Sequence, residues 1–155
     1  MPSSLSLKQV HRQLELTLQA VWGRSVRVLD LPSDSCSLCP QLEADTIYLS
    51  SVIEGCSKEF TPNYYLCAAL HASAHLIYSQ PRDGTGLNNR QLVLISLIED
   101  ARIETLLLKK LPGLRPLFLA HFHKPPSHSL IFEDIAYALA FSLLKQTVVV
   151  DNPLI

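Results

Sequence analysis

Two histidines and a later group of carboxylates are the residues in this sequence whose types and spacing best suit chemistry. His71 and His75 are four residues apart in a segment that is otherwise almost entirely apolar. Residues at this spacing lie on the same side of a helix, one turn apart. Three carboxylates, Glu99, Asp100 and Glu104, follow in a second apolar segment. Two imidazoles and a carboxylate form a ligand set that suits zinc or iron.

The two segments that carry these groups are predicted to be helices, one ending near Tyr78 and the other capped by Asn88 or Asn89 and ending before Pro112. Both are apolar nearly all round, which is typical of buried helices. Unpaired charge is costly in a core, so these polar groups must satisfy one another or share a cation. Glu99 follows His75 by 24 residues, which leaves room for a turn and a returning helix.

Three interpretations of this cluster remain open from the residues alone. In the first, His71, His75 and Glu99 hold a structural or regulatory metal, with Asp100 and Glu104 as alternate ligands. In the second, the same side chains form a hydrogen-bonded network without metal, because buried polar groups are usually paired with one another. Arg102 is the internal counter-charge in that network. The first interpretation predicts bound zinc or iron, and the second predicts no cofactor.

The third interpretation is a catalytic metal site. Two histidines separated by three residues are also found in the zincin metalloproteases, where a glutamate directly after the first histidine is the general base. That position is Ala72 here. Peptide hydrolysis by the standard mechanism is therefore not expected, and no catalytic residue is assigned. A degenerate zincin-type, metal-dependent hydrolase that uses another base is the enzymatic alternative.

Two further groups of possible ligands receive plainer interpretations. Cys36 and Cys39 have the spacing of zinc ligands, but a second half-site is not found at the usual distance, so we interpret them as loop thiols. Cys67 lies in the apolar histidine segment and is predicted to be a core residue. Histidines 121, 123 and 128 stand in a proline-containing loop and are interpreted as contacts with solvent or a partner.

Composition excludes several classes of function. The net charge of −1 and the lack of a cluster of lysine and arginine argue against an extended nucleic-acid surface. No uninterrupted apolar run of about 18 residues is present, so a membrane span is not expected. The N-terminus does not resemble a secretory signal, which favours a cytoplasmic protein. The hydrophobic content of 48% predicts a tightly packed interior, a homo-oligomer contact or a docking surface.

The rest of the chain predicts a mainly helical α+β fold. A first helix is expected from about Leu5 to Trp22, capped by Ser3 or Ser4 and ended by Gly23. Segments 25–31 and 46–50 are predicted strands that pair as a small antiparallel sheet, with a loop between them. A last helix is expected over 132–146, followed by a short strand over 147–150. The 155 residues are predicted to form one domain, with a zincin-like helical core that lacks the catalytic glutamate.

Three short runs resemble a bacterial family of accessory proteins, the NorD-type nitric oxide reductase activation proteins and the CbbO-type rubisco activation proteins. The runs are His71-Ala-Ser-Ala-His-Leu76, Ser96-Leu-Ile-Glu-Asp-Ala-Arg-Ile-Glu104 and Leu111-Pro-Gly-Leu-Arg-Pro-Leu117. The resemblance covers about Tyr64 to Leu117, and the second and third runs are its most specific part.

This resemblance implies a non-enzymatic adaptor. Proteins of that family work with a MoxR-type AAA+ ATPase to activate a metalloenzyme or rubisco, and they carry a C-terminal von Willebrand factor A domain. The Asp-x-Ser-x-Ser motif of that domain is absent from this sequence. The chain is therefore expected to correspond to the N-terminal domain of such a protein, with the ATPase and a client enzyme as partners. A plain helical interaction module, in which the polar cluster only fixes helix register, is a further alternative.

Overall fold

The computed structural model describes residues 6–32, 40–51, 61–81 and 83–120, together with single helical positions at 139, 142, 143 and 145. The predicted last helix as a whole, the terminal strand, the Cys36 and Cys39 pair and the histidines at 121, 123 and 128 lie outside these residues. The chain divides into two compact units, residues 1–78 and 79–155. The expectation of a single domain over 1–155 stays a prediction.

The first unit begins with helix α1, Leu7–Trp22. The predicted N-caps were wrong, because Ser6 caps the helix, and its backbone N–H donates to the side-chain oxygen of Gln9 at 2.9 Å. Serine followed three residues later by glutamine is a capping box, which the sequence contains at this position. Gly23 ends the helix as predicted, with a φ of 69° that favours glycine. The residues of α1 that are buried, Leu7, Leu14 and Leu18, lie on one side of the helix at three-to-four-residue multiples.

Three strands follow α1 in the first unit and form its sheet. They are β1, Arg27–Asp30; β2, Gln41–Glu43; and β3, Thr46–Leu49. The sheet order is β1-β3-β2, with β3 parallel to β1 and antiparallel to β2. The predicted antiparallel pairing of the first strand with 46–50 was therefore wrong. Part of the segment interpreted as a loop forms β2, which reverses the chain so that β3 runs in the direction of β1. The α+β class is confirmed, and the small sheet is mixed.

The core of the first unit is formed by α1, the sheet and helix α2, Thr61–Tyr78. Helix α2 contributes small buried residues, which let neighbouring backbones approach closely. Its members with almost no exposed surface are Ala69, Leu70, Ala72, Ser73 and Ala74. Ile47 of β3 is likewise fully buried, and Cys67 is buried as predicted. The expectation that the histidine-bearing helix is packed on several sides is thus confirmed.

Tyr65 connects α2 to the end of the sheet through its hydroxyl group. We expect Tyr65→Phe to lower the free energy of unfolding by about 1–2 kcal/mol, because the hydrogen bonds of that hydroxyl are lost. The hydroxyl donates to the carbonyl oxygens of Ser50 and Ser51 at 3.1 and 3.0 Å. Burial, with a further contribution from the negative charge of Asp30, raises the pKa of Tyr65 to about 12.

The raised pKa of Tyr65 means that the folded state favours the protonated phenol. The associated stability is present below pH 10, the usual pKa of tyrosine, and is lost as the pH rises through 12. Urea denaturation at pH 8 and pH 11 should show a larger loss of stability in the wild type than in Tyr65→Phe. An equal loss in both proteins would contradict the assignment of this ionisation to Tyr65.

The second unit contains helix α3, Asn89–Lys110, a 3₁₀ turn, Pro112–Leu114, and the short helix α4, Arg115–Leu119. Asn88 caps α3 as predicted, and its side-chain oxygen accepts from the backbone N–H of Gln91 at 3.0 Å. The C-terminal half of α3 supplies Ile103, Leu107 and Leu108 to the core, and α4 supplies Phe118.

The N-terminal half of α3 is not buried, contrary to the expectation from its apolar composition. The large apolar residues that are 37–59% exposed here are Leu92, Val93, Leu94, Ile95 and Ile98. Because apolar residues are found along the whole length of α3, its composition does not distinguish the half that contributes to the core from the half that is exposed. We call these five residues the α3 apolar surface. No described helix is both long and apolar enough to cross a membrane.

Candidate metal centre

The two histidines meet on one side of α2, as their spacing predicted. Both side chains are half-buried, and their Nε2 atoms are 3.2 Å apart. The ring centroids of His71 and His75 are 4.9 Å apart, with the ring planes at 71°. Opposed Nε2 atoms at this distance can share a hydrogen bond only if one ring donates and the other accepts.

The same distance also suits two ligands of one metal ion. Zinc binds imidazole nitrogen at 2.0–2.1 Å with tetrahedral geometry, which places two ligand nitrogens about 3.3 Å apart. The separation of the Nε2 atoms of His71 and His75 therefore matches that of two nitrogens bound to one zinc ion. A neutral imidazole offers its unprotonated nitrogen to a metal, so binding would replace the hydrogen bond between the rings.

The backbone between the histidines is held by a buried polar contact that the sequence analysis did not predict. Ser73 is fully buried, and its hydroxyl donates to the carbonyl oxygen of Leu70 at 2.9 Å. The indole Nε1 of Trp22, on α1, donates to the same hydroxyl oxygen at 2.8 Å. This contact and the buried alanines at 72 and 74 fix the rotation of α2, so the histidines occupy its half-buried side.

The first-choice carboxylate, Glu99, is held by neighbours within the second unit. The guanidinium of Arg102 donates to both of its carboxylate oxygens, at 2.7 and 2.6 Å. The Ser79 hydroxyl also donates to Oε1, at 2.5 Å. The hydrogen bonds that Arg102 donates to Glu99 raise the pKa of Arg102. Arg102 is thus the counter-charge of Glu99, as expected, but its side chain is 45% exposed and so is not internal.

The two alternate carboxylates lie on the same helix. Asp100 and Glu104 are both half-buried and are four residues apart, which places them one helical turn from each other. Sequence reasoning missed the Ser79 contact to Glu99, for which the sequence contains no signal. The contact of Arg102 with Glu99 agrees with the counter-charge predicted from the sequence, because charges three residues apart on a helix are neighbours.

Comparison with known proteins identifies no relative: no family model, curated protein or solved structure matches the chain.

Proposed function

We propose that this chain is a metal-binding, non-enzymatic adaptor domain that works with a MoxR-type AAA+ ATPase to activate a metalloenzyme or rubisco. The observation that carries the adaptor role is the α3 apolar surface, whose members are 37–59% exposed. Exposed apolar residues in a contiguous group favour contact with another protein. The most specific run of the resemblance, residues 96–104, begins within this surface.

The metal-binding part of the proposal depends on the histidine pair. His71 and His75 would supply imidazole nitrogens, and a carboxylate of α3 would supply oxygen. We prefer Asp100 to Glu99 as the carboxylate, because both oxygens of Glu99 already accept hydrogen bonds from Arg102. Zinc and iron both accept this mixture of ligands.

Asp100→Asn is expected to weaken zinc binding by more than Glu99→Gln does. Loss of a ligand should lower the affinity by at least about 10–100-fold, the range found for groups that only orient a ligand. Glu99→Gln should change it little if Glu99 serves to hold Arg102. Competition with a chromogenic chelator measures both affinities. If Glu99→Gln weakens zinc binding more than Asp100→Asn does, Glu99 is the carboxylate ligand. If only Glu104→Gln weakens zinc binding, the ligand is Glu104.

Binding to the ATPase tests the adaptor role separately. We expect the purified chain to bind the MoxR-type AAA+ ATPase of its own organism, and Ile95→Glu/Ile98→Glu to weaken this binding by more than about tenfold, as loss of a central apolar contact does. Leu16→Glu is the matched control, because Leu16 is 51% exposed on α1, outside the α3 apolar surface. Circular dichroism establishes whether each variant is folded. Failure of the wild type to bind, or equal loss in the control, would contradict the proposal.

A further inference from the structure

One side of α3 is exposed to solvent along several turns of the helix. Gln91, Ile95, Ile98 and Arg102 are all exposed and follow one another at spacings of four, three and four residues. Residues at these spacings lie on the same side of a helix. The opposite side of α3 carries half-buried residues, which are Leu97, Asp100 and Glu104. The side that faces solvent is therefore the one centred on Ile95 and Ile98.

The apolar part of this exposed side is its centre. Ile95 and Ile98 are 48% and 59% exposed, more than any other member of the α3 apolar surface. Gln91 and Arg102 place polar groups one turn beyond them at the two ends. An apolar centre with a polar rim is typical of a protein–protein contact. Alternate spacings of three and four residues are also those of the seam between two coiled-coil helices.

We propose that this side of α3 binds the same side of α3 in a second copy of the chain, with the two helices antiparallel. In a two-fold symmetric contact, each residue pair occurs twice. An axis that passes between Ile95 and Ile98 places each of these residues against the other one in the second copy. Gln91 precedes Ile95 by four residues and Arg102 follows Ile98 by four, so the same axis places Gln91 opposite Arg102 of the second copy.

The polar ends of this side of α3 are complementary to each other, which favours a second copy as the occupant. The side-chain oxygen of Gln91 accepts from the backbone N–H of Asn88 at 2.9 Å, and an amide oxygen has two lone pairs. The guanidinium of Arg102 has five N–H donors, more than its contact with Glu99 requires. Antiparallel helices bring this donor to that acceptor at both ends, whereas parallel helices would set Arg102 beside its own copy, where like charges repel.

Self-association would cover most of the α3 apolar surface. Leu92 and Leu94 lie beside Ile95 on the helix and are 40% and 37% exposed, so they widen the apolar contact. The dimer goes beyond the proposed function and does not depend on it, because it forms from the purified chain alone. Where the ATPase binds the same surface, it must first displace the second copy, so its apparent affinity falls as the chain concentration rises.

Sedimentation equilibrium of the purified chain between about 10 μM and 1 mM tests this dimer. We expect a monomer–dimer equilibrium in the wild type, and a dissociation constant more than about tenfold higher in Ile95→Glu/Ile98→Glu. Gln91→Glu should strengthen the dimer by about 2–20-fold, because an ion pair with Arg102 of the second copy forms at both ends. Gln91→Lys should weaken it by a similar factor, because it places like charges there. Glutamate also preserves the capping box of α3.

Gln13→Glu and Gln13→Lys are the matched controls, because Gln13 is exposed on α1 and the substitutions change the net charge equally. Both should dimerise like the wild type, and circular dichroism establishes that every variant is folded. The proposal is overturned if the wild type stays monomeric up to about 1 mM, if both Gln91 variants shift the equilibrium in the same direction, or if the controls shift it as much. A dimer that does not bind the ATPase contradicts only the proposed function, and a monomer that binds it contradicts only this inference.

Discussion

Replacing His71 and His75 together by alanine is expected to remove bound metal from the protein. The wild type, purified without an affinity-metal step, should contain nearly one equivalent of zinc or iron, and the double variant should contain almost none. Their Nε2 atoms, 3.2 Å apart, are the converging pair on which the proposed site depends. Loss of two ligands should lower the affinity by well over about 100-fold, since loss of an orienting group alone costs 10–100-fold.

Elemental analysis of both proteins gives the primary result, with His11→Ala as the control for a histidine of the same unit that lies outside the pair. A chelator should also lower the melting temperature of the wild type and leave that of the double variant unchanged, because an ion bound only by the folded state stabilises it by mass action. Absence of metal from the wild type, together with a melting temperature insensitive to added zinc, would show that the histidines only share a hydrogen bond.

Local signals in the sequence predicted much of this fold. Gly23 and Asn88 were placed correctly because helix ends depend on a few residues with specific backbone and hydrogen-bonding requirements. The pairing of β1 with β3 was not predicted correctly, because β2 has only three residues in a turn-rich segment and none of them is buried. A strand that short and exposed leaves no alternating pattern, yet it determines the direction of the strand that follows.

The candidate site was predictable in part for a similar reason. The convergence of His71 and His75 follows from helical geometry alone, and the structure reproduces it. The choice among the carboxylates does not follow, because it depends on which of them a neighbour already occupies. Glu99 has the most suitable position in the sequence, yet Arg102 and Ser79 donate to it. Such competition depends on contacts between side chains, which composition and spacing do not record.

The exposure of the α3 apolar surface has the same origin. The hydrophobic periodicity of a helix identifies its buried face only when polar residues occupy the opposite face. A helix with apolar residues on all faces is therefore predicted to be buried along its whole length. The segment 92–98 contains Ser96 as its single polar residue, so no face is marked. The structure shows that this half of α3 is exposed, whereas the other half contributes the buried residues Ile103, Leu107 and Leu108. An exposed apolar segment without a marked face favours the interpretation as a contact surface.

Ala72→Glu is expected to destabilise the protein by about 3–5 kcal/mol, the usual cost of leaving a charge buried and unpaired. This substitution restores the residue that follows the first histidine in zincins. In those enzymes the glutamate must reach a metal-bound water, so its position has to face an accessible cleft. Ala72 is only 1% exposed, which places the same position against the packed interior of the first unit.

Urea denaturation of Ala72→Glu measures this cost, and hydrolysis of a fluorogenic peptide with added zinc measures any activity gained. Ala20→Glu is the matched control, because Ala20 is exposed on α1 and its substitution should change stability by no more than about 0.5 kcal/mol. A stable Ala72→Glu variant that cleaves peptide would show that this position reaches an open metal centre and would support the degenerate zincin alternative. If Ala72→Glu is destabilised and inactive while the control is unaffected, the result agrees with a histidine pair that binds metal without hydrolysis. In that case residue 72, where zincins have the general base, is packed in the core.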